Sequence, residues 1–207
     1  MTDLAIRSTE PISGPPPQLF LAEANHRVKN YMQILYGLLS IARHTSRDPH
    51  AREVLDTVRQ RVDAMVSVQQ FLCELDGGAF TTTSRFLDRL CANLRASLGW
   101  TNKIRVVESS QERLPQAALL PVAMIVNELV TNATKHGVED AAGAIRVALK
   151  NDGKLFILYV EDNGPGFELP QVLNRYSGLG LTLEWVRQLQ GTFEVKQEPY
   201  TRCIVRF

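Results

Sequence analysis

The sequence predicts two domains, an all-α helical hairpin followed by an α+β sandwich. Over residues 19–78 apolar side chains recur at heptad spacing, which is typical of packed helices. Over residues 79–207 helix-like segments are mixed with short, largely antiparallel strand-like segments, which indicates a sheet with one face covered by helices. A chain of 207 residues is long enough for two such cores. Residues 1–18, which contain EPISGPPPQ, are expected to form a disordered leader.

Two heptad seams predict the hairpin. Both follow steps of three and four residues, and the SRDPH segment at residues 46–50 separates them. One hairpin buries little apolar surface, so we expect it to pair with a second copy in a dimeric four-helix bundle. The seam residues are Val28, Met32, Leu35, Leu39 and Ala42, followed by Ala51, Leu55, Val58, Val62, Met65, Gln69 and Leu72.

The elements of the sandwich are predicted from turn and capping residues. Ser84 is the expected N-cap of a helix that ends near Leu98, and Gly137 is expected to end a long apolar helix. Asn151-Asp152-Gly153 predicts the turn of a β-hairpin. The other elements are a helix at residues 179–189 and strands at KIRVVE (103–108), AIRVALKN (144–151), KLFILYVED (154–162), TFEVKQ (192–197) and RCIVRF (202–207).

Composition excludes several classes of function. With 23 basic and 22 acidic residues the formal charge is +1, which argues against a broad nucleic-acid-binding surface. Three widely spaced cysteines, Cys73, Cys91 and Cys203, indicate reduced thiols in a cytoplasmic protein rather than a disulfide framework or a zinc site. No apolar run is expected to span a membrane, since none approaches about 18 residues, and no signal peptide is visible.

The stretch EANHRVKNYMQIL places polar residues within the first helical pattern. Val28 lies about 200° around the helix from His26, at about 100° per residue, so His26 is expected to point away from the seam. Asn30, one turn later, shares its face. A neutral imidazole can attack phosphorus near neutral pH. Taken alone, such a histidine is most simply a solvated residue, and the phosphate-acceptor hypothesis requires a phosphate donor site in the same chain.

NELVTNATKHG, residues 127–137, is a candidate for part of that donor site. Glu128 and Asn132 lie one turn apart, and Lys135 or His136 lies one turn further. A carboxylate and a carboxamide supply the hard oxygen ligands that Mg²⁺ prefers, and a cation beside them can contact phosphate oxygens. The alternative is an ordinary polar face of an amphipathic helix.

Two glycine-containing stretches complete the candidate site. In VEDNGPGF, Asp162 follows an apolar strand and can accept a hydrogen bond from an exocyclic amine such as that of adenine, while Gly164 and Gly166 allow close backbone approach. In SGLGLTLEWV, Gly178 and Gly180 lead into a helix whose N-terminus favours phosphate. Each stretch by itself is also compatible with a simple glycine-rich loop.

In their order along the chain, these stretches resemble the motifs of sensor histidine kinases with a GHKL (Bergerat-type) ATP-binding domain. HRVKN resembles the H-box of the second HisKA subfamily, which is related to the HWE kinases. NELVTNATKHG resembles the N box, DNGPG the G1 box and GLGL the G2 box. The resemblance covers about residues 19–207. It implies a DHp-like dimerisation and histidine phosphotransfer hairpin at 19–78 and a GHKL ATP-binding catalytic domain at 79–207.

The resemblance also implies the role of each motif residue. His26 would be the phosphoacceptor, with Arg27, Lys29 and Asn30 around it. Asn132 would hold Mg²⁺, and Glu128 would assist metal binding or act as a base. The remaining residues would bind the nucleotide: Lys135 and His136 near the phosphates, Asp162 at adenine, and Gly164, Gly166, Gly178, Gly180 and Leu181 around the pocket. Only residues 168–177 separate DNGPGF from GLGL, so the lid over ATP is expected to be short.

The leading hypothesis is therefore an ATP-dependent kinase that phosphorylates His26 and passes the phosphoryl group to an aspartate of a response-regulator receiver domain. Its input is expected from a separate sensor protein or from a longer chain of which this is the catalytic fragment. The alternatives are a histidine phosphotransferase with little ATP turnover, and a response-regulator phosphatase in which Asn30 orients water. A serine kinase of the anti-sigma type would not need the histidine hairpin.

Overall fold

Two long antiparallel helices form the N-terminal part of the chain. The computed structural model describes residues 17–74, 80–98, 104–137, 144–164, 178–197 and 200–207. Helix α1 spans Pro17–Thr45 and helix α2 spans Pro49–Glu74. Asp48 caps α2, since its Oδ1 accepts a hydrogen bond from the backbone N–H of His50 at 2.9 Å, and Pro49 occupies the first helical position. The break at SRDPH and the helical hairpin are thus confirmed.

The hairpin covers its predicted seam only in part. Val28, Met32 and Leu39 of α1 are half-buried, whereas Leu35 is 47% exposed and Ala42 is also exposed. On α2 the seam positions from residue 51 to residue 65 are half-buried, and the side chains of Gln69 and Leu72 lie outside the described part. Two helices can cover only one side of each other, which leaves the rest of each apolar face to other contacts.

The C-terminal part is an α+β sandwich, as predicted. A five-stranded sheet has the order β2-β4-β5-β7-β6, in which β2 pairs parallel with β4 and the other pairs are antiparallel. A smaller sheet pairs β1 with β3. The strands are β1 Phe80–Thr82, β2 Ile104–Ser109, β3 Arg113–Pro115, β4 Ile145–Asn151, β5 Phe156–Asp162, β6 Thr192–Lys196 and β7 Thr201–Arg206. The helices are α3 Thr83–Leu98, α4 Gln116–Asn132 and α5 Gly178–Gln188, and a π-helical turn at Ala133–Gly137 follows α4.

One face of the large sheet packs on the helices. Ile145, Val147 and Leu149 alternate along β4 and join a buried cluster with residues of α3 and α4. The opposite face carries an ion-pair network, in which buried Glu161 accepts hydrogen bonds from Arg146 at 2.7 Å and from Arg202 at 2.6 Å. The described cysteines Cys91 and Cys203 are unpaired and buried, and burial raises the pKa of each thiol to about 12.

Helix α4 is the central helix of this core. Thirteen of its 17 residues are buried. The segment Gln116–Lys135 is long and apolar enough to cross a membrane by length and composition, and it is the one described segment with that property. The expectation that no apolar stretch approaches this length was therefore wrong. Because 78% of an 18-residue window in this segment is buried within the protein, its apolar character is explained by packing on several sides.

The structure corrects two details of the predicted sandwich. Strands β1 and β3, each of three residues, were not predicted. The N-cap of α3 is Thr82 rather than Ser84, because Thr82 Oγ1 accepts the hydrogen bond from the Arg85 N–H at 3.3 Å. Ser84 lies inside the helix, where its hydroxyl donates to Asp88 at 3.4 Å. Pairing of β1 with β3 extends to Thr82 and thereby determines where the helix can begin.

Candidate nucleotide site

The polar end of α4 lies against the start of α5. Glu128 is buried and Asn132 is half-buried. A Cβ atom built on Gly178 would lie 2.8 Å from Glu128 Oε2 and 3.4 Å from the amide atoms of Asn132. Glycine therefore lets the first turn of α5 lie this close to the two side chains, whereas a larger residue would require the Glu128 carboxylate to move. The structure thus brings together NELVTN and GLGL, two stretches that are about 50 residues apart in the chain.

Glu128 also forms an ion pair with a residue of the helical hairpin. Arg61 of α2 donates from Nε to Glu128 Oε1 at 2.5 Å and from an Nη nitrogen to Oε2 at 3.0 Å. Exposure of the two side chains is 18% for Arg61 and 6% for Glu128. Sequence reasoning missed Arg61, because a charged residue between heptad positions ordinarily lies on the solvent face of a helix.

Lys135 lies on the π-helical turn that follows α4. Its side chain is exposed, and its Nζ lies 3.4 Å from Thr57 Oγ1 of α2. Such π-helical segments often occur at functional sites. The turn begins at Ala133, directly after Asn132, so the predicted metal ligand and the predicted phosphate contact lie on either side of this change in helix geometry.

Asp162 occupies the end of β5, as predicted. It is buried, with 8% of its surface exposed, and its Oδ1 accepts a hydrogen bond from the Gly164 N–H at 2.9 Å. Burial raises the pKa of this carboxyl, and the Gly164 hydrogen bond opposes that effect in part. A buried acceptor at a strand end is suited to an exocyclic amine such as that of adenine.

Thr201 is a second candidate for the same end of the site. It lies directly opposite Asp162 in the β5–β7 pair, and side chains at such paired positions point to the same face of the sheet. Thr201 is 2% exposed, and its Oγ1 has no hydrogen-bond partner among the described residues. A buried hydroxyl without a partner is costly, which makes it a suitable contact for a polar ligand. A lone threonine at the start of a strand carried no signal for this role in the sequence.

Other predicted site residues are described only in part. The side chains of His26, in α1, and of His136, in the π-helical turn, lie outside the described part of the structure, as does Gly166 with the predicted lid at 168–177. Asn30 is exposed on α1. Gly164 is half-buried beside Asp162, and Gly180 and Leu181 are half-buried in the first turn of α5.

These residues fit a magnesium nucleotide in chemical type. The described residues contain no group of three or more His, Cys, Asp or Glu side chains that could enclose a metal ion. Mg²⁺ at nucleotide sites is usually held by one or two protein oxygens, waters and phosphates, so Asn132 and Glu128 are a sufficient set. At the end where adenine is predicted to bind, the Thr201 hydroxyl, which has no hydrogen-bond partner among the described residues, lies beside Asp162 and supports the fit. At the metal end, Glu128 would first have to separate from Arg61.

Comparison with known proteins identifies both parts of the chain. Residues 23–98 match the model of a histidine kinase family, HisKA_2, and residues 92–205 match that of the histidine kinase-like ATPase domain. The chain is 27% identical over 157 residues to blue-light-activated histidine kinase 2 of Erythrobacter litoralis, which covers 70% of this chain and 43% of that protein. It is 25% identical over 172 residues to sensor histidine kinase PdtaS of Mycobacterium tuberculosis, and this alignment covers 82% of this chain and 34% of that protein. The chain thus spans less than half the length of these curated relatives.

Solved structures show the same fold. The histidine kinase domain of the Erythrobacter litoralis EL346 blue-light activated histidine kinase superposes with a TM-score of 0.58 at 20% identity, covering 84% of this chain and 95% of that one. Acinetobacter baumannii histidine kinase AdeS superposes with a TM-score of 0.53 at 16% identity, and the superposition covers 88% of this chain and 96% of that one. The ATPase-domain match alone covers more than half of the chain. The chain therefore belongs to the histidine kinase family, with a HisKA_2 segment followed by a histidine kinase-like ATPase domain.

Proposed function

We propose that the protein is an ATP-dependent histidine kinase that phosphorylates His26. The observation that carries this proposal is the contact of Glu128 and Asn132 with Gly178 at the start of α5. This contact combines hard oxygen ligands with a helix N-terminus, which is the combination that a magnesium-bound phosphate chain requires. Asp162 and Thr201 supply polar groups for the base of the nucleotide.

Each residue of the proposed site then has a definite role. Magnesium-bound ATP would supply the phosphoryl group, and the Mg²⁺ ion would neutralise part of the negative charge on its phosphates. Asn132 and Glu128 would hold the metal, with Glu128 able to accept a proton, and Lys135 and His136 would contact phosphate oxygens. Asp162 would select adenine, while Gly164, Gly166, Gly178, Gly180 and Leu181 would shape the pocket. The unprotonated imidazole nitrogen of His26 would form the new bond to the γ-phosphorus while the bond from that phosphorus to the bridging oxygen breaks and ADP leaves. The ring would then lose the proton on its other nitrogen.

We propose further that the phosphoryl group passes to an aspartate of a response-regulator receiver domain in the cytoplasm. Input would come from a separate sensor protein or from additional segments of a longer chain. The active unit would be a homodimer in which α1 and α2 form a four-helix bundle. Support for the homodimer comes from the large apolar side chains that α1 exposes, among them Ile34 at 59%, Leu38 at 57% and Ile41 at 63%.

The test is incubation with γ-labelled ATP. We expect acid-labile label on the wild type, no label on His26→Ala, and at least about a hundredfold less label on Asn132→Ala, because metal-mediated charge neutralisation dominates phosphoryl transfer. His44→Ala is the matched control, since His44 is an exposed histidine of the same helix, and the label on this variant should match the wild type. Label that persists in His26→Ala would contradict the assignment of the acceptor.

A receiver-directed phosphatase activity is the second candidate. It is favoured by the exposed position of Asn30, one helical turn after His26, where a carboxamide can orient water. In this case Asn30→Ala should slow the decay of a phosphorylated receiver while leaving labelling of His26 intact. An unchanged decay rate would reject this role. Absence of label on the wild type, with transfer between receivers retained, would instead favour the phosphotransferase alternative.

A further inference from the structure

Helix α2 contacts two residues of the proposed nucleotide site. Arg61 binds both oxygens of Glu128, at 2.5 and 3.0 Å, and Thr57, one turn earlier, lies 3.4 Å from Lys135 Nζ. Glu128 is the proposed metal ligand or base, and Lys135 is a proposed phosphate contact. A single face of the hairpin therefore occupies groups that the site needs for its ligand.

The Arg61–Glu128 pair is the stronger of these contacts. A guanidinium that donates two parallel hydrogen bonds to one carboxylate combines charge with a defined geometry. Burial of both side chains strengthens the attraction, since Glu128 is 6% and Arg61 18% exposed. On its other side the carboxylate adjoins Gly178, where a Cβ would lie 2.8 Å from Oε2. The carboxylate thus has an arginine on one side and a helix backbone on the other.

An open cleft adjoins the part of α2 that precedes Arg61. A cleft of about 360 Å³ lies between α2 and the π-helical turn, and it is lined by Arg52, Thr57, Gln60 and Lys135 among others. Polar residues and an open cleft make α2 easier to separate from α4 than a close-packed apolar interface would be. The ion pair is a specific, two-pronged polar contact between these two helices.

We propose that Arg61 is an autoinhibitory latch that holds Glu128 away from the metal until α2 separates from α4. This inference rests on the proposed function, because it assigns Glu128 to the magnesium nucleotide. Arg61 and Mg²⁺ compete for the same two oxygens, so the metal-competent population is the fraction of molecules in which the pair is open. Apparent metal affinity falls in proportion to that fraction.

Substitution of Arg61 by methionine tests the latch, since methionine keeps an unbranched stem and removes the guanidinium. With ADP present, Arg61→Met is expected to lower the magnesium concentration that gives half-maximal ADP binding by about tenfold, a typical size for coupling between two states. Without nucleotide, hydrogen exchange of α2 residues 57–64 should be faster in Arg61→Met. Arg59→Met is the matched control, since Arg59 contacts Asp56 and the Tyr36 ring instead, and both readouts should match the wild type.

The outcomes separate the latch from the kinase proposal. The latch would be overturned if hydrogen exchange of α2 in nucleotide-free Arg61→Met matched the wild type. It would also be overturned if Arg61→Met needed the same or a higher magnesium concentration than the wild type for half-maximal ADP binding. Wild-type protein that does not bind ADP at all would overturn the proposed function, and the exchange comparison would still decide whether Arg61 holds α2 to α4. If Arg61→Met does not fold, Arg61→Lys replaces it. Lysine keeps the charge without the two-pronged geometry, so both readouts should then shift in the same direction by a smaller factor.

Discussion

Asp162 is a buried carboxyl whose proposed role in ligand binding would come at the expense of stability. Its carboxyl is 8% exposed, and burial raises its pKa because the charged form loses hydration. The Gly164 N–H replaces only part of that hydration. A carboxylate in this position lowers the stability of the ligand-free protein and favours a ligand that can donate a hydrogen bond to it.

Replacing Asp162 with asparagine is expected to raise stability at neutral pH and to weaken ADP binding roughly 10- to 100-fold, the range for one hydrogen bond to a charged group. The folded-state pKa lies above the ordinary 3.8, so the wild type loses stability as pH rises from 3.8 through the raised value. Asparagine does not titrate and keeps an oxygen for the Gly164 N–H. Urea unfolding of both proteins at several pH values should therefore show a gap that widens from acid toward neutral pH. A gap that narrows instead would contradict this account.

The types of residue in the proposed site could be nominated from sequence, whereas their structural partners could not. Glu128, Asn132 and Asp162 were candidates because each carries a distinctive functional group at an informative position in a helix or at a strand end. Arg61 and Thr201 could not, because their roles arise from tertiary contacts: an ion pair between residues 67 positions apart and a cross-strand pairing. No local pattern encodes either contact.

At the end of helix α5, the position was predictable from sequence, whereas the residue that closes the helix was not. The helix was expected to end near Leu189, and a Schellman motif closes it: Gly191 N–H donates to Val186 O at 2.9 Å and Gln190 N–H to Arg187 O at 2.9 Å. Glycine usually takes the left-handed position of this motif, but here Gln190 adopts it, with φ of 55°. Gly191 follows because the chain passes close to β7 at this point.

Element boundaries that depend on pairing were the ones the sequence could not predict. The long helices and the strands of the large sheet follow clear apolar periodicity, and their observed ends lie close to the predicted ones. Strands β1 and β3 are too short to show alternation. The run of three threonines and a serine at residues 81–84 offers several equivalent caps around the start of α3, and the β1–β3 pairing selects Thr82.

Gly191→Ala is predicted to destabilise the protein by about 1–3 kcal/mol, the usual cost of forcing an extra methyl group into packed structure. A Cβ at this position would lie 2.5 Å from the backbone oxygen of Arg206, and a backbone atom in a sheet cannot easily move away. Gly37→Ala is the matched control. Gly37 lies inside α1, and its Cβ would meet nothing within 4 Å, so alanine should stabilise the helix by about 0.5–1 kcal/mol. Chemical denaturation of the two variants measures both effects, and a shift of the same sign in both would contradict the geometry.

At the scale of the whole molecule, the helical hairpin has two apolar faces, and the described residues cover one of them. The covered face contains Val28, Met32 and Leu39. The other face of α1 exposes Ile34, Leu38 and Ile41, spaced four and three residues apart, which is a second heptad row. Residues of α2 that face α4 instead contact the proposed nucleotide site through the Arg61–Glu128 ion pair. Under the proposed function, the hairpin would connect association between copies with access to that site.

Leu38→Glu is predicted to weaken self-association by at least about 2 kcal/mol, roughly thirtyfold, because it would bury an unpaired carboxylate in the proposed bundle. Leu155→Glu is the matched control, since Leu155 is 45% exposed and precedes β5 in the sandwich, away from the hairpin. Light scattering across a concentration series should give a dimer for the wild type and Leu155→Glu, and a monomer over most of that range for Leu38→Glu. A wild type that remains monomeric at high concentration would remove the bundle from the proposal. Phosphorylation of His26 would then have to occur within one chain, and mixing His26→Ala with Asn132→Ala protein should restore no label.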